Sequence, residues 1–310
     1  MYEESKSFTL FGLTGFYYGL FVMLGAAVAL ALFAALCRKE RMKAGTAALY
    51  GVLALPMGLI CSRVLFCLLD FRFNGMITLR AMLSFWGGGY SMVGALAGAV
   101  LAALLTARIQ KTGMLALLDL LTPALLLFMV FARLGEGYTE LLGRSRTLTH
   151  EELATSFLAF NDGYDGYLKT YLLEAITAAI LAGAMLAYLR AKPRAGHVLF
   201  TGMLLLGCTQ VLWESLRFDS HMRYSFISMQ QILFACMFAA PLVIYGIRCG
   251  KKQLWLAIGA CAAVAGIVVG LEFMIDRSGV DNLIIYALYV LTLCVPAALG
   301  ICLRKRSDRK

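Results

Sequence analysis

Charge is scarce in this chain. Asp, Glu, Lys and Arg make up 15% of its 310 residues, 61% are hydrophobic, and the mean hydropathy is +0.79. Soluble globular domains carry about 25% charged and about 45–50% apolar residues, so a soluble domain is excluded. Histidine is rarer still: His150, His197 and His221 stand far apart, and the nine cysteines include no CxxC pair. Neither a metal site nor a disulfide framework is expected from such spacing, and most of the cysteines lie in apolar runs, where Cys acts as a small hydrophobe. No metal or soluble cofactor is expected. The opening segment MYEESKSFTL is polar and carries two acids. It lacks the basic n-region of a cleavable signal peptide, so the first apolar run is expected to remain as a span. No internal repeat is visible.

What the chain has instead is long apolar runs. A membrane-spanning helix needs about 20 consecutive apolar residues, and nine segments qualify: 14–36, 46–69, 83–106, 114–134, 169–189, 198–216, 226–247, 254–274 and 282–303. This predicts an all-α polytopic helical bundle. The net charge of +10 is distributed unevenly. CRKERMK (37–43), RIQK (108–111), RAKPRAGH (190–197), RCGKK (248–252) and RKRSDRK (304–310) hold 17 of the 28 Lys and Arg but only two acids, Glu40 and Asp308. Short loops rich in Lys and Arg mark the cytoplasmic side. With nine spans all five clusters fall on one side, which predicts an outside N-terminus and a cytoplasmic C-terminus. The basic excess is therefore topological, and no nucleic-acid partner is expected. On the outer side, a long loop at about 137–168 contains NDGYDGY, rich in turn formers, and is expected to form a small cap.

Charges inside the spans are the functional signal. Each costs about 2.5–3.5 kcal/mol at the centre of a span on insertion scales, so it is expected to face protein or a polar cavity. Arg63 sits inside GLICSRVLFCLL, Arg133 ends the fourth span, Glu174 lies early in the fifth, and WESLRFD (213–219) brings Glu214, Arg217 and Asp219 to the end of the sixth. All fall in the outer half, and Arg63, Arg133, Glu140 and Glu214 are expected to line one cavity. The bland alternatives are snorkelling at helix ends for Arg217 and Asp219 and local pairing for Glu174. RLGEGYTELLGR (133–144) adds Glu136, Glu140, Gly143 and Arg144, with glycines at 135, 137 and 143 that suit a helix break and a close approach. In WGGGYSMVGALAG (86–98), Gly94 and Gly98 form GxxxG. That segment suits either close helix packing or an anion received at a helix start. Tyr17 and Tyr18 open the first span, where interfacial aromatics are common.

Taken in order, these segments resemble the prolipoprotein diacylglyceryl transferase family. WGGGYSMVGALAG is similar to the family pattern W-x-G-G-x-S-F-H-G-G-L-x-G through Trp86, Gly88, Gly89, Ser91, Gly94, Leu96 and Gly98. RLGEGYTELLGR resembles R-x-G-N-F-x-N-G-E-x-x-G-R through Arg133, Gly135, Glu140, Gly143 and Arg144, with one residue deleted before Glu140. SMQQILF (228–234) is similar to S-M-G-Q-I-L-S, and Glu214 to Arg217 to E-F-F-R. Tyr18 falls on the family tyrosine and Arg63 on its second-span arginine. The resemblance covers about residues 10–250.

It implies a seven-span transferase core over 1–250, with 251–310 added as a two-helix hairpin and basic tail. It further implies a multi-pass protein of the bacterial cytoplasmic membrane. The activity implied is transfer of a diacylglyceryl group from phosphatidylglycerol, or a related anionic phospholipid, to the lipobox cysteine of a prolipoprotein. Arg133, Glu140 and Tyr18 would be catalytic. Arg63, Gly88, Gly89, Ser91, Gly94, Glu136, Gly143, Arg144, Glu214 and Arg217 would bind substrate. The chain departs from the family pattern at three places: the histidine position is Val93, an arginine position is Gln210, and an asparagine position is Glu136. Glu140 is then the best local base. The alternative reading is a non-catalytic paralogue that binds lipid or lipoprotein; a transporter is disfavoured, because paired broken spans in two related halves are not visible.

Overall fold

The structure, a computed structural model, describes residues 6–10, 13–69, 78–85, 89–139, 145–148, 150–161, 165–217, 223–224 and 227–308. Among them, nine helices are long and apolar enough to cross a membrane. They are α1 (Tyr17–Lys39), α2 (Thr46–Leu69), α4 (Met92–Gln110), α5 (Met114–Glu136), α7 (Thr170–Arg190), α8 (His197–Leu216), α9 (Met229–Cys249), α10 (Lys251–Arg277) and α11 (Asn282–Asp308), with two short helices, α3 (Leu79–Leu83) and α6 (Glu151–Ala154), between them. At 19 to 27 residues and 1.5 Å per residue, each is long enough for a hydrocarbon core about 30 Å thick. Large apolar side chains such as Met23, Val52, Ile180, Trp255 and Leu291 are exposed on them, as surfaces facing lipid require.

The third span differs from its expected range of 83–106. It begins at Met92, where the Ser91 hydroxyl caps it by accepting from the Gly94 N–H at 3.3 Å. The cause is the glycine run: Gly89 adopts φ +79°, and a Cβ there would collide with the Phe66 ring. Three short antiparallel ladders also lie outside the all-helical expectation: β1 (Ser7–Leu10) with β2 (Leu13–Phe16), β3 (Ala159–Asn161) with β4 (Gly166–Leu168), and β5 (Arg223–Tyr224) with β6 (Ile227–Ser228). The second of these, with α6, falls in the stretch expected to form a cap.

The chain forms two compact units. In the first, Met1–Gly196 with Arg217–His221, α2 packs on α4, α1 on α5 and α5 on α7. Gly94 and Gly98 set the first contact: a Cβ at Gly94 would lie 2.6 Å from the Cys61 carbonyl oxygen, and one at Gly98 would strike the backbone of Met57 and Gly58. The GxxxG is thus a packing motif. At one end of this unit Lys43 Nζ donates to the Gln110 carbonyl at 2.6 Å, and the Gly196 N–H donates to Asp119 Oδ2 at 2.6 Å, so three of the basic loops are tied there. At the other end the Lys6 N–H donates to the Tyr138 carbonyl at 3.1 Å, and Tyr138 stacks on Tyr17 and Phe21.

In the second unit, His197–Leu216 with Met222–Lys310, α8 packs on α9, and both α10 and α11 pack on α9 and on each other. Gly207 lets α8 approach the α9 backbone at Phe234 and Phe238. The Cys249 thiol donates to the Leu303 carbonyl at 3.3 Å and Arg304 Nη1 to the Thr201 hydroxyl at 3.3 Å. The end of α9, the start of α8 and the end of α11 therefore gather together.

Candidate active site

Three buried charges of the first unit and a half-buried fourth, Arg217, close into a ring. Arg133 and Glu136 stand three residues apart on the last turn of α5, a spacing that puts them on one face. Arg133 Nη1 donates to Glu136 Oε1 at 2.5 Å. Glu174, the fifth residue of α7, is fully buried and places Oε2 2.6 Å from Arg133 Nε. Arg217 follows directly on α8, its backbone bridged to Ser145. It donates from Nε to Glu174 Oε1 and from Nη2 to Glu136 Oε2, both at 2.6 Å. Each carboxylate thus bridges two guanidinium groups and each guanidinium two carboxylates. The four formal charges sum to zero, which is how an interior otherwise hostile to ions holds them. The side chains of Arg133 and Glu174 are 4% and 0% exposed, those of Glu136 and Arg217 10% and 14%, so the ring has a sealed side and a side nearer its rim.

Of the glycines expected to break the helix, Gly137 ends it and Gly135 does not. Gly135 stays helical, because α5 runs on to Glu136. Its lack of a side chain serves the close approach: a Cβ there would meet Phe21 Cβ at 2.9 Å and the Tyr18 ring at 3.2 Å. The helix ends at Gly137, which lies against the Tyr171 ring. Tyr18 is thereby held beside α5, within electrostatic reach of Glu136, Arg133 and Arg217.

Arg63 is supported elsewhere in the same unit. Its guanidinium donates from Nε and Nη2 to the Ala81 carbonyl at 3.2 and 3.0 Å, and from Nη1 to the Gly89 carbonyl at 3.0 Å, and it lies 5.8 Å from the Phe66 ring centroid. It fastens the segment before α4. Ser91 is tied to α2 as well: Ser62 Oγ donates to its carbonyl at 2.8 Å. Gly88, Glu140, Gly143, Arg144 and Asp219 lie outside the described residues.

Glu214 belongs to the second unit, where it is buried and accepts from the Ser228 hydroxyl at 3.4 Å; Gln210 is buried on the same helix. This unit also holds a polar group that the sequence reading passed over. The side-chain amide nitrogen of Gln231, in SMQQILF, lies 2.7 Å from Glu272 Oε1, 2.6 Å from the Tyr289 hydroxyl and 3.2 Å from the Val211 carbonyl oxygen. Tyr289 donates to Glu272 Oε1 at 3.1 Å. The sequence signal for it is Glu272, a single acid in the apolar run of α10.

Paired guanidinium forks recognise phosphate and carboxylate oxygens, and in this ring both are engaged by the carboxylates of Glu136 and Glu174. The model of the prolipoprotein diacylglyceryl transferase family matches residues 6–247, more than three quarters of the chain. The chain belongs to the prolipoprotein diacylglyceryl transferase family. It is similar to proteins named phosphatidylglycerol–prolipoprotein diacylglyceryl transferase. The one from Listeria innocua is 28% identical over 232 residues, 72% of this chain and 83% of the relative. That from Clostridioides difficile is 24% identical, covering 71% and 85%. That from Bacillus velezensis is 23% identical, covering 77% and 89%. Family and helices together make this a multi-pass membrane protein.

Proposed function

We propose that the chain is a diacylglyceryl transferase of the bacterial cytoplasmic membrane, moving a diacylglyceryl group from phosphatidylglycerol to the lipobox cysteine of a prolipoprotein. The observation that carries this reading is the Arg133–Glu136–Glu174–Arg217 ring in a chain of this family. Arg133 and Arg217 hold the phosphate and neutralise charge as the C–O bond to glycerol phosphate breaks. The attacking sulfur must be a thiolate. Its proton passes to a base, for which Glu140 is the candidate, with Tyr18 as a hydrogen-bonding partner. The S–C bond forms as glycerol phosphate leaves. Arg63 shapes the site by holding the segment before α4.

The test is a transfer assay with labelled phosphatidylglycerol and a lipobox peptide, together with rescue of a host depleted of its own transferase. Transfer and rescue are expected. A protein that does neither is the lipid- or lipoprotein-binding paralogue, with Val93 and Gln210 as the reason. A double Val93→His, Gln210→Arg variant that gains transfer would establish that loss.

The N-terminus and the 137–168 segment are assigned to the outside and the C-terminus to the cytoplasm, and 251–310 is read as a hairpin added to a core over 1–250. The basic last turns of α1, α4, α7, α9 and α11 support that orientation. Single cysteines at positions 5 and 308, in a background without the native ones, should label from opposite sides. Labelling from the same side would remove the nine-span topology.

A further inference from the structure

The two carboxylates of the ring are not equivalent. Glu174 contacts the Nε atoms of both arginines, close to their stems. Glu136 contacts only terminal nitrogens, Nη1 of Arg133 and Nη2 of Arg217. Glu174 is fully buried in the second turn of α7, whereas Glu136 lies on the more open side of the ring. Glu136 is also the last residue of α5. A negative charge there opposes the helix dipole, whose C-terminal end is itself negative, so the two guanidinium groups hold it in place against the dipole. Its two oxygens each take one donor from a different arginine, the arrangement two non-bridging oxygens of a phosphodiester would take. Within the ring the four charges balance, so an incoming anion competes with the carboxylates already on the guanidinium groups.

We propose that Glu136 is an internal stand-in for the phosphate of the lipid head group: its carboxylate occupies the outer guanidinium nitrogens of Arg133 and Arg217 and gives way to the phosphate oxygens of phosphatidylglycerol, while Glu174 keeps the arginines paired. This rests on reading the ring as a phospholipid site. The displaced carboxylate turns toward the rim. Glu136 therefore sets how much anionic lipid is needed for occupancy, and it does so where the family pattern has a neutral asparagine.

The experiment is a thermal-shift titration of the full-length protein in detergent micelles with phosphatidylglycerol, diacylglycerol or inorganic phosphate. Removing the competing charge in Glu136→Gln should lower the mole fraction of phosphatidylglycerol at half-effect on the order of 10-fold, with no change for diacylglycerol. Glu136→Asp, which keeps the charge on a shorter arm, should fall between and serves if Glu136→Gln does not fold. Glu174→Gln should show no such gain. An unchanged or raised half-effect value in a folded Glu136 variant overturns the proposal. A gain for inorganic phosphate without one for phosphatidylglycerol overturns the head group as the displacing anion. Wild-type protein that binds phosphatidylglycerol without transferring it removes the transferase reading and leaves the stand-in role. Transfer by the wild type with no gain in Glu136→Gln does the reverse.

Discussion

Among the described residues each unit buries one glutamate completely, Glu174 in the first and Glu272 in the second, and the two are compensated in different ways. Glu174 in the first unit lies between the guanidinium groups of Arg133 and Arg217. Glu272 in the second meets the amide of Gln231 and the phenol of Tyr289. The first arrangement answers charge with charge. Its members exchange partners only for another ion, which suits a site for a phosphorylated substrate. The second answers a carboxylate with neutral dipoles and ties α10 and α11 to Gln231 of α9. It has the form of a structural knot, joining the last two helices to a segment that resembles a family motif.

Neutral isosteres should separate the two most strongly. Glu174→Gln keeps the volume but takes from both guanidinium groups the carboxylate that bridges their Nε atoms. Breaking a buried pair in this way costs about 3–5 kcal/mol, and the unfolding midpoint of the purified protein should drop sharply. A midpoint equal to the wild type would mean that the ring does not hold the first unit together.

Next comes Arg133, tested by transfer rather than by stability. Losing its charge-assisted contact to a phosphate should remove about 1.5–3 kcal/mol, which is roughly 10- to 100-fold in rate. Arg133→Lys should recover little, because an ammonium cannot span two carboxylates as a fork does. An active wild type indifferent to Arg133→Ala would take the ring out of the chemistry, and the contrast between the units would then be one of architecture only.

Much of the first assembly is legible in the residues themselves. An arginine or glutamate within an apolar run is costly enough to need a partner, so Arg133, Glu136, Glu174 and Arg217 stand out, and the nine helices follow from hydropathy. Who pairs with whom does not. Arg217 lies 43 residues from Glu174 and 81 from Glu136, and no local spacing carries that information. Glu174, for which local pairing is the bland alternative, joins both arginines, as Glu136 does. Three glycines moved the start of the third span to Met92, since backbone freedom at Gly89 outweighs the apolar character of the segment. The ladders are two to four residues per strand, too short for period-two patterning to register. Glu272 was hidden for another reason: one acid four residues before Asp276 looks like part of a solvated helix end, and only packing against Gln231 and Tyr289 makes it interior.

The Glu272 knot should respond on a smaller scale than the charged ring. Glu272→Leu should leave the Gln231 amide and the Tyr289 hydroxyl short of an acceptor, at about 1–3 kcal/mol for a buried group so stranded. Glu272→Gln, which retains an oxygen acceptor, should lose much less. If both variants fall as far as Glu174→Gln, Glu272 is held by charge, and the distinction between the units fails.

The smallest effect is expected from Tyr289→Phe. The ring stays and continues to fill its buried place in α11, so no cavity opens. What is lost is one hydroxyl that donates to Glu272 and neighbours the Gln231 amide. A hydrogen bond to a charged group contributes about 1.5–3 kcal/mol, and the loss here is expected at or below the low end because the acceptor keeps a second donor. Glu272 keeps its contact with Gln231, whose amide also reaches the Val211 carbonyl, so the remaining contacts hold α10 to α9. The unfolding midpoint should therefore fall slightly, and transfer at saturating phosphatidylglycerol should stay near the wild-type rate, because nothing in the charged ring has changed. A rate loss approaching that of Arg133→Ala with an unmoved midpoint would mean that Tyr289 acts on the reaction, and the second assembly would have to be counted with the site.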